Sequence, residues 1–312
     1  MTAMSPIPVV LDTDIGTDID DTWALALILR SPEVDLKLIT TATGDTTYRA
    51  KIVARLLEAA GRTDIPIGIG LRQSEETGPQ EPWVRDYDLS SYPGCILSDG
   101  VGALIDAIMT SAQQVTLVAI GPLTNIGAAL DREPLIAERA RFVGMLGDLR
   151  HGLDSSILPT PEYNVRCDPS ACQRVFEAPW SITMAPLDTC ALVTLAGARY
   201  AAVRDCADPL TRAVVENYRI WGRSFAAPVE ERSSVLYDTV AVYLAFPQDL
   251  LAMERLRVRV TDDGLTLIDS AGREVSCARA WRDLSAFEDL VVARLSGTAP
   301  RAAGGYGRYR ST

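Results

Sequence analysis

The chain has 312 residues, 47% of them hydrophobic, enough to fill the core of one large α/β unit. Its formal net charge of -11 excludes a partner held through phosphate backbones, which needs a positive surface, and suits a small polar substrate or a metal ion. Six scattered cysteines form no CxxC pair, MTAMSPIPVV has neither a basic start nor a long apolar run, and no apolar stretch is long enough to span a bilayer; these features predict reduced thiols and a soluble, cytoplasmic protein.

Short apolar runs alternate with helical patterns. We read a strand at 7–11, a helix at 20–30, a strand at 36–41, a helix at 47–60 and a short strand near 65–68. A helix at 101–112, a strand at 115–120, a helix at 123–130 and a strand at 142–146 follow, then a helix at 209–226. This alternation predicts an α/β fold, a mostly parallel doubly wound sheet flanked by helices. Near the end, 256–279 reads as a β-hairpin turning at Asp263-Gly264, and a last helix falls at 283–296. We expect one domain over 1–297 and a disordered tail over 298–312. The polar, proline-rich stretch 71–98 is too long for a simple connection and reads either as a binding loop or lid or as an inert surface insertion.

Directly behind the first strand stands DTDIGTDIDD, five aspartates in ten residues. Carboxylates this close repel one another, so a cation or hydrogen-bond donors must compensate them. An EF-hand loop counted from Asp12 would need glycine at its sixth position and glutamate at its twelfth, where this chain has Thr17 and Trp23. Asp12-Thr13-Asp14 matches the opening of haloacid-dehalogenase-type phosphatases, but Lys51, the last lysine, stands too early to screen a phosphoryl group. Helix capping and dipole pairing explain one carboxylate comfortably and not five.

DTDIGTDIDDTWALAL resembles the N-terminal signature of the inosine-uridine preferring nucleoside hydrolases, DTDxGxDDxxAL, and four further segments follow in family order. They are TTATGDTTYRAKIVARLLEAAG, AIGPLTNI at 119–126, PEYN at 161–164 with Asp168-Pro169, and YDTVA at 237–241. The resemblance implies Ca²⁺-dependent hydrolysis of a ribonucleoside to ribose and free base, through an oxocarbenium-like sugar. It implies a catalytic pair, Asp14 as the general base for a metal-bound water and Tyr237 beside the leaving base. It implies Ca²⁺ ligands Asp14, Asp21, the Ile120 carbonyl and Asp238, and a substrate-binding set of Asp20, Asp45, Ser156, Glu162, Asn164 and Trp221. Asp20 would face the ribose 2′-hydroxyl, and Glu162 and Asn164 the other hydroxyls. A homodimer or homotetramer is implied too, with neither nucleic acid nor membrane as a partner.

Three departures from the family pattern stand out. Thr17-Asp18-Ile19 lengthens the aspartate loop and leaves Asp18 without a role; Asp45 replaces an asparagine and reads equally as a helix cap; Tyr237 replaces a histidine and is the weaker acid. The one histidine, His151, stands in the loop before Glu162. Tyr237 and Asp45 also leave open a relative that binds ribosides without turning them over. Tyr218, Trp221 and Phe225 share a helix face, and core packing competes there with base contact.

Overall fold

The computed structural model describes residues 5–150, 159–246 and 249–297. Its strands are β1 (Ile7–Thr13), β2 (Val34–Thr41), β3 (Ile67–Ile69), β4 (Ile96–Leu97), β5 (Val115–Ala119), β6 (Ala140–Met145), β7 (Ile182–Ala185), β8 (Leu251–Val260), β9 (Thr266–Ile268) and β10 (Arg273–Trp281). They join one sheet in the order β4-β3-β2-β1-β5-β6-β7-β10-β8-β9. Strands β1 to β7 pair in parallel throughout.

The period-2 alternation of the strands sends successive side chains to opposite faces. Val9 and Leu11 of β1 enter one hydrophobic cluster with Trp23, Leu25 and Leu57, while Val10 enters the other with Leu104, Leu117 and Ile126. The helices Asp20–Leu29, Thr46–Ala60, Pro209–Phe225 and Tyr237–Leu244 cover the first face; Gly100–Met109, Thr124–Arg132 and Pro169–Glu177 cover the second. This is the doubly wound arrangement expected. Among the described residues no helix is long and apolar enough to cross a membrane, and all six cysteines are free.

Two regions differ from expectation. The β8–β9 hairpin does turn at Asp263-Gly264, where Gly264 has φ +84, but β10 inserts between β7 and β8, parallel to the former and antiparallel to the latter. The C-terminal segment therefore widens the main sheet. The stretch 71–98 holds a short helix, Glu81–Val84, and the strand β4. It buries Gln80, Trp83 and Val84, and its side chains line neither of the cavities described below. The expected tail over 298–312 lies outside the described residues.

The winding reverses at β1, whose neighbours are β2 and β5. Crevices beyond the carboxyl ends of strands at such a reversal are where α/β sheets hold ligands. Asp14 follows β1 there, and Ile120 follows β5.

Candidate active site

A cavity of about 250 Å³ opens at that reversal. The end of β1 supplies Asp14, the N-terminal turn of helix Asp20–Leu29 supplies Asp20 and Asp21, and β5 delivers Ile120. Glu162 and Asn164 reach it from beyond β6, and Tyr237 and Asp238 open the helix Tyr237–Leu244. Eight of the residues implied by the sequence resemblance thus meet around one space.

Close backbone approach makes this possible. Gly121 follows β5 so tightly that a Cβ there would sit 2.7 Å from the Asp14 nitrogen and 2.8 Å from its Oδ1. Gly16 turns the aspartate loop at φ +115, the left-handed side that glycine adopts without strain, and its missing Cβ leaves room for the Tyr48 ring.

The carboxylates lie deep. Asp20, Asp21 and Asp238 each offer an oxygen within 4.8 Å of the others, and all three are buried. The Asp238 backbone N–H donates to Asp20 Oδ2 at 3.3 Å, which draws Asp20 toward this trio; the Thr13 hydroxyl donates to Asp21. Burial first, then the neighbouring aspartate charges, holds all three well above the usual carboxylate range. Asp14 is raised to about 6 by burial, against the pull of the Arg49 guanidinium. A set of buried, mutually repelling carboxylate oxygens beside a backbone carbonyl is the donor chemistry of a hard divalent cation. The residues present fit such an ion.

Glu162 accepts from the backbone N–H of Gly147 at 3.0 Å and of Asn164 at 2.8 Å. Asn164 Nδ2 donates to the Met145 carbonyl at 2.9 Å. Both side chains are thereby fixed on the cavity wall. Asp12 stands behind the site instead, accepting from Asn125 Nδ2 at 2.8 Å and from the Thr40 hydroxyl, with burial raising it to about 7. It supports the strand end.

Not every implied residue arrives. Asp45 accepts from the backbone N–H of Thr47 and Tyr48, caps the helix Thr46–Ala60 and pairs with Arg72 at 2.8 Å; it is absent from the cavity wall, so the cap reading replaces the substrate one. Ser156 and His151 lie outside the described residues. Lys51 is also absent from the cavity wall, which leaves the phosphatase reading without its cation.

Trp221 lines a second cavity of about 300 Å³, and this cavity shares Asp18 and Tyr237 with the first. The aromatic face divides accordingly: Tyr218 packs in the core against Trp23 at 5.8 Å, Trp221 is half-buried, and Phe225 is exposed. Burial first, then the Asp20 charge, pushes the Tyr237 hydroxyl up to about 12.

Arg49 escaped the sequence reading. It is buried, and donates to the carbonyls of Asp14, of Ile15 at 2.9 Å and of Thr43 at 2.6 Å, and to Thr17 Oγ1 at 2.9 Å. Gln80, from the long connection, donates to the Asp18 carbonyl at 2.7 Å. The signal for Arg49 was its position in the first turn of a helix that starts beyond the carboxyl end of β2, next to β1.

The model of the inosine-uridine preferring nucleoside hydrolase family matches residues 9–288. The chain belongs to that family. Over 225 residues it is 32% identical to the pyrimidine-specific ribonucleoside hydrolase RihA of Enterobacter sp. (strain 638), covering 67% of this chain and 69% of the relative. Over 194 residues it is 34% identical to the non-specific ribonucleoside hydrolase RihC of Klebsiella pneumoniae, covering 58% of this chain and 62% of the relative. Among solved structures, a plant nucleoside hydrolase, PpNRh1, superposes with a TM-score of 0.81 at 24% identity, covering 94% of this chain and 99% of its own. A purine-preferring ribonucleoside hydrolase from Gardnerella vaginalis does so at 0.75 and 23%, covering 93% and 98%. These two likenesses establish the shared fold.

Proposed function

We propose that this family member is a Ca²⁺-dependent N-ribohydrolase that cleaves a ribonucleoside to ribose and free base. The observation that carries the reading is the meeting of Asp14, Asp20, Asp21, Glu162, Asn164 and Asp238 around one buried cavity at the reversal of the sheet. Asp14, Asp21, Asp238 and the Ile120 carbonyl would hold the ion. When bound, Ca²⁺ grips the ribose diol and lowers the pKa of water.

The remaining work falls to the side chains. Asp14, raised to about 6 by burial, accepts the proton of the attacking water near neutral pH. Asp20 accepts from the 2′-hydroxyl. Glu162 and Asn164, each fixed by backbone partners, hold the other hydroxyls, and their buried polar groups would be left unpaired by a sugar lacking them. The surrounding carboxylates stabilise the positive charge that develops on the sugar ring.

The experiment is release of reducing sugar from uridine and inosine with Ca²⁺ and with chelator. Release that chelator abolishes and Ca²⁺ restores is expected; release unaffected by chelator overturns the metal assignment, and binding without release overturns the hydrolase reading. A homodimeric or homotetrameric state, which the family resemblance implies, is part of the same proposal, and gel filtration tests it.

A further inference from the structure

Glu162 is aimed by hydrogen bonds from two directions. The Asn164 and Val165 N–H groups of its own helix donate to it at 2.8 and 3.3 Å, and the Gly147 N–H donates to its Oε2 at 3.0 Å. Among the described residues Gly147 is its one partner outside that helix. Gly147 is itself held in place: its carbonyl accepts from the Leu187 N–H at 2.9 Å, and at φ +82 its backbone packs so closely that a Cβ on it would lie 2.8 Å from Thr266 Oγ1. Thr266 opens β9 and is buried. Its hydroxyl donates to the Asp148 carbonyl at 2.9 Å and accepts from the Asp148 N–H at 3.1 Å, so one side chain satisfies both backbone groups of Asp148. Asp148 then reaches the other way, its Oδ2 accepting from the Thr160 N–H and hydroxyl, both at 2.8 Å.

Two rungs, Gly147–Glu162 and Asp148–Thr160, therefore join the segment behind β6 to the start of helix Tyr163–Cys167, and β9 braces them from outside. The tip of the β8–β9 hairpin rests on the same wall. A Cβ on Gly264 would lie 2.8 Å from the Arg166 Cα, and Gln173 Nε2 donates to Asp262 Oδ1 at 2.8 Å. Asp148 is fully buried, and its Oδ1 has no partner among the described residues. A carboxylate in that state costs stability that a packed apolar side chain would not cost. What it supplies is position.

Resting on the N-ribohydrolase reading, we propose that Thr266 and Asp148 are positioning residues for recognition of the sugar. Through Gly147 and Thr160 they fix the Glu162 carboxylate where it meets a ribose hydroxyl, so that the C-terminal hairpin, whose residues line neither cavity, sets selectivity for the sugar. A buried acceptor displaced by about 1 Å forfeits most of what it adds to binding and alignment. The proposed metal ligands hang from β1, β5 and two other helices, so they keep their places when this brace is cut.

The test compares kcat/KM for uridine and for 2′-, 3′- and 5′-deoxyuridine, with inhibition constants where an analogue is not cleaved. Thr266→Val keeps the branched shape and removes the hydroxyl. It should lower the uridine value about tenfold or more, mainly through KM, and the 2′-deoxyuridine value in the same proportion, because Asp20 and not Glu162 faces that hydroxyl. On the 3′- or the 5′-deoxy analogue, whichever lacks the partner of Glu162, the loss should stay below about threefold, and the Ca²⁺ concentration for half-maximal rate should move less than about twofold. Thr266→Ser returns the hydroxyl and should recover most of the uridine value. Equal losses on all four ribosides, a matching loss of Ca²⁺ affinity, or an unchanged uridine KM in the folded valine variant overturns the inference while the hydrolase reading stands. If Thr266→Val fails to fold, Thr160→Val, which removes one of the two bonds to Asp148, decides by the same pattern at about threefold. If the wild-type chain cleaves none of the four, the hydrolase reading falls, and calorimetric binding of uridine decides: binding weakened about tenfold by Thr266→Val supports the positioning role, and binding unchanged or absent overturns it.

Discussion

The first cavity takes its polar side chains from residues that follow β1 and β6 and from the opening turns of two helices, β5 adds the backbone of Ile120, and apart from Asp18 its carboxylates are buried. The second takes most of its wall from the helix Pro209–Phe225, where Trp221 is half-buried, and from the segment that runs on to Tyr237, where Arg232 is exposed and Ser234 half-buried, with Asp18 and Thr194 completing it. Sheet register fixes the depth at which each strand ends, so groups placed there hold their mutual distances. A helix face and a loop carry no such constraint and can change chemistry without disturbing the core. The cavity at the strand ends is thus the rigid half, proposed here for the sugar, and the second cavity the adjustable half.

The comparison breaks first if the rigid half proves dispensable. Asp14→Ala should lower sugar release by about a thousandfold or more, the upper part of what a positioned base contributes. An unaffected rate removes Asp14 from the reaction. The same half should answer to pH. Asp12, Asp14, Asp20, Asp21 and Asp238 are all raised in the folded state, so between their unfolded values near 3.8 and about 7 the folded chain binds more protons than the unfolded one, and its stability without metal falls as pH rises. Exposed carboxylates lowered by arginine partners, such as Asp64 and Asp269, act below that window. Thermal unfolding in chelator should therefore occur at lower temperature at about pH 7.5 than at about pH 5, and Ca²⁺ should raise the midpoint more at the higher pH. A midpoint that climbs with pH in chelator overturns the assignment of raised carboxylates.

Arg49→Met comes next in size. It removes the guanidinium donor from the carbonyls of Asp14, Ile15 and Thr43, at a cost on the order of 3 kcal/mol in urea unfolding. It should also lower kcat by about ten- to a hundredfold, by freeing the loop that aims Asp14. A normal rate in the folded variant shows that the loop holds itself.

How much of this was legible follows the same division. The strand ends were legible because Val9-Val10-Leu11 and Val115-Thr116-Leu117-Val118 announce buried parallel strands, and the motifs behind them carry the carboxylates. The four residues of β7 were too short to announce themselves, and β10 was read as part of a hairpin because sequence shows a turn and not the partner beyond it. Asp45 misled because a capping aspartate and a substrate carboxylate look alike until the helix start is seen. Arg49 went unread for the opposite reason: its place in the first turn of the helix was a signal, but a lone arginine on an amphipathic helix reads as solvated, and only the fold turns it under the loop. The second cavity has no contiguous motif, since Asp18, Trp221 and Arg232 meet only in three dimensions.

Tyr237 stands on the border of the two halves and gives the smallest expected effect. If its hydroxyl were the acid for the departing base, Tyr237→Phe would cost as much as the loss of a general acid, about a hundredfold or more. With the hydroxyl pushed up to about 12 by burial and by the Asp20 charge, it offers a hydrogen bond in place of a proton, and losing one hydrogen bond costs about 0.5–1.5 kcal/mol, or about tenfold at most. The loss should appear on neutral ribosides such as uridine and shrink on a cationic one, where the nitrogen leaves without gaining a proton. The same larger loss on both substrates would make Tyr237 part of the sugar site and move the border between the halves outward.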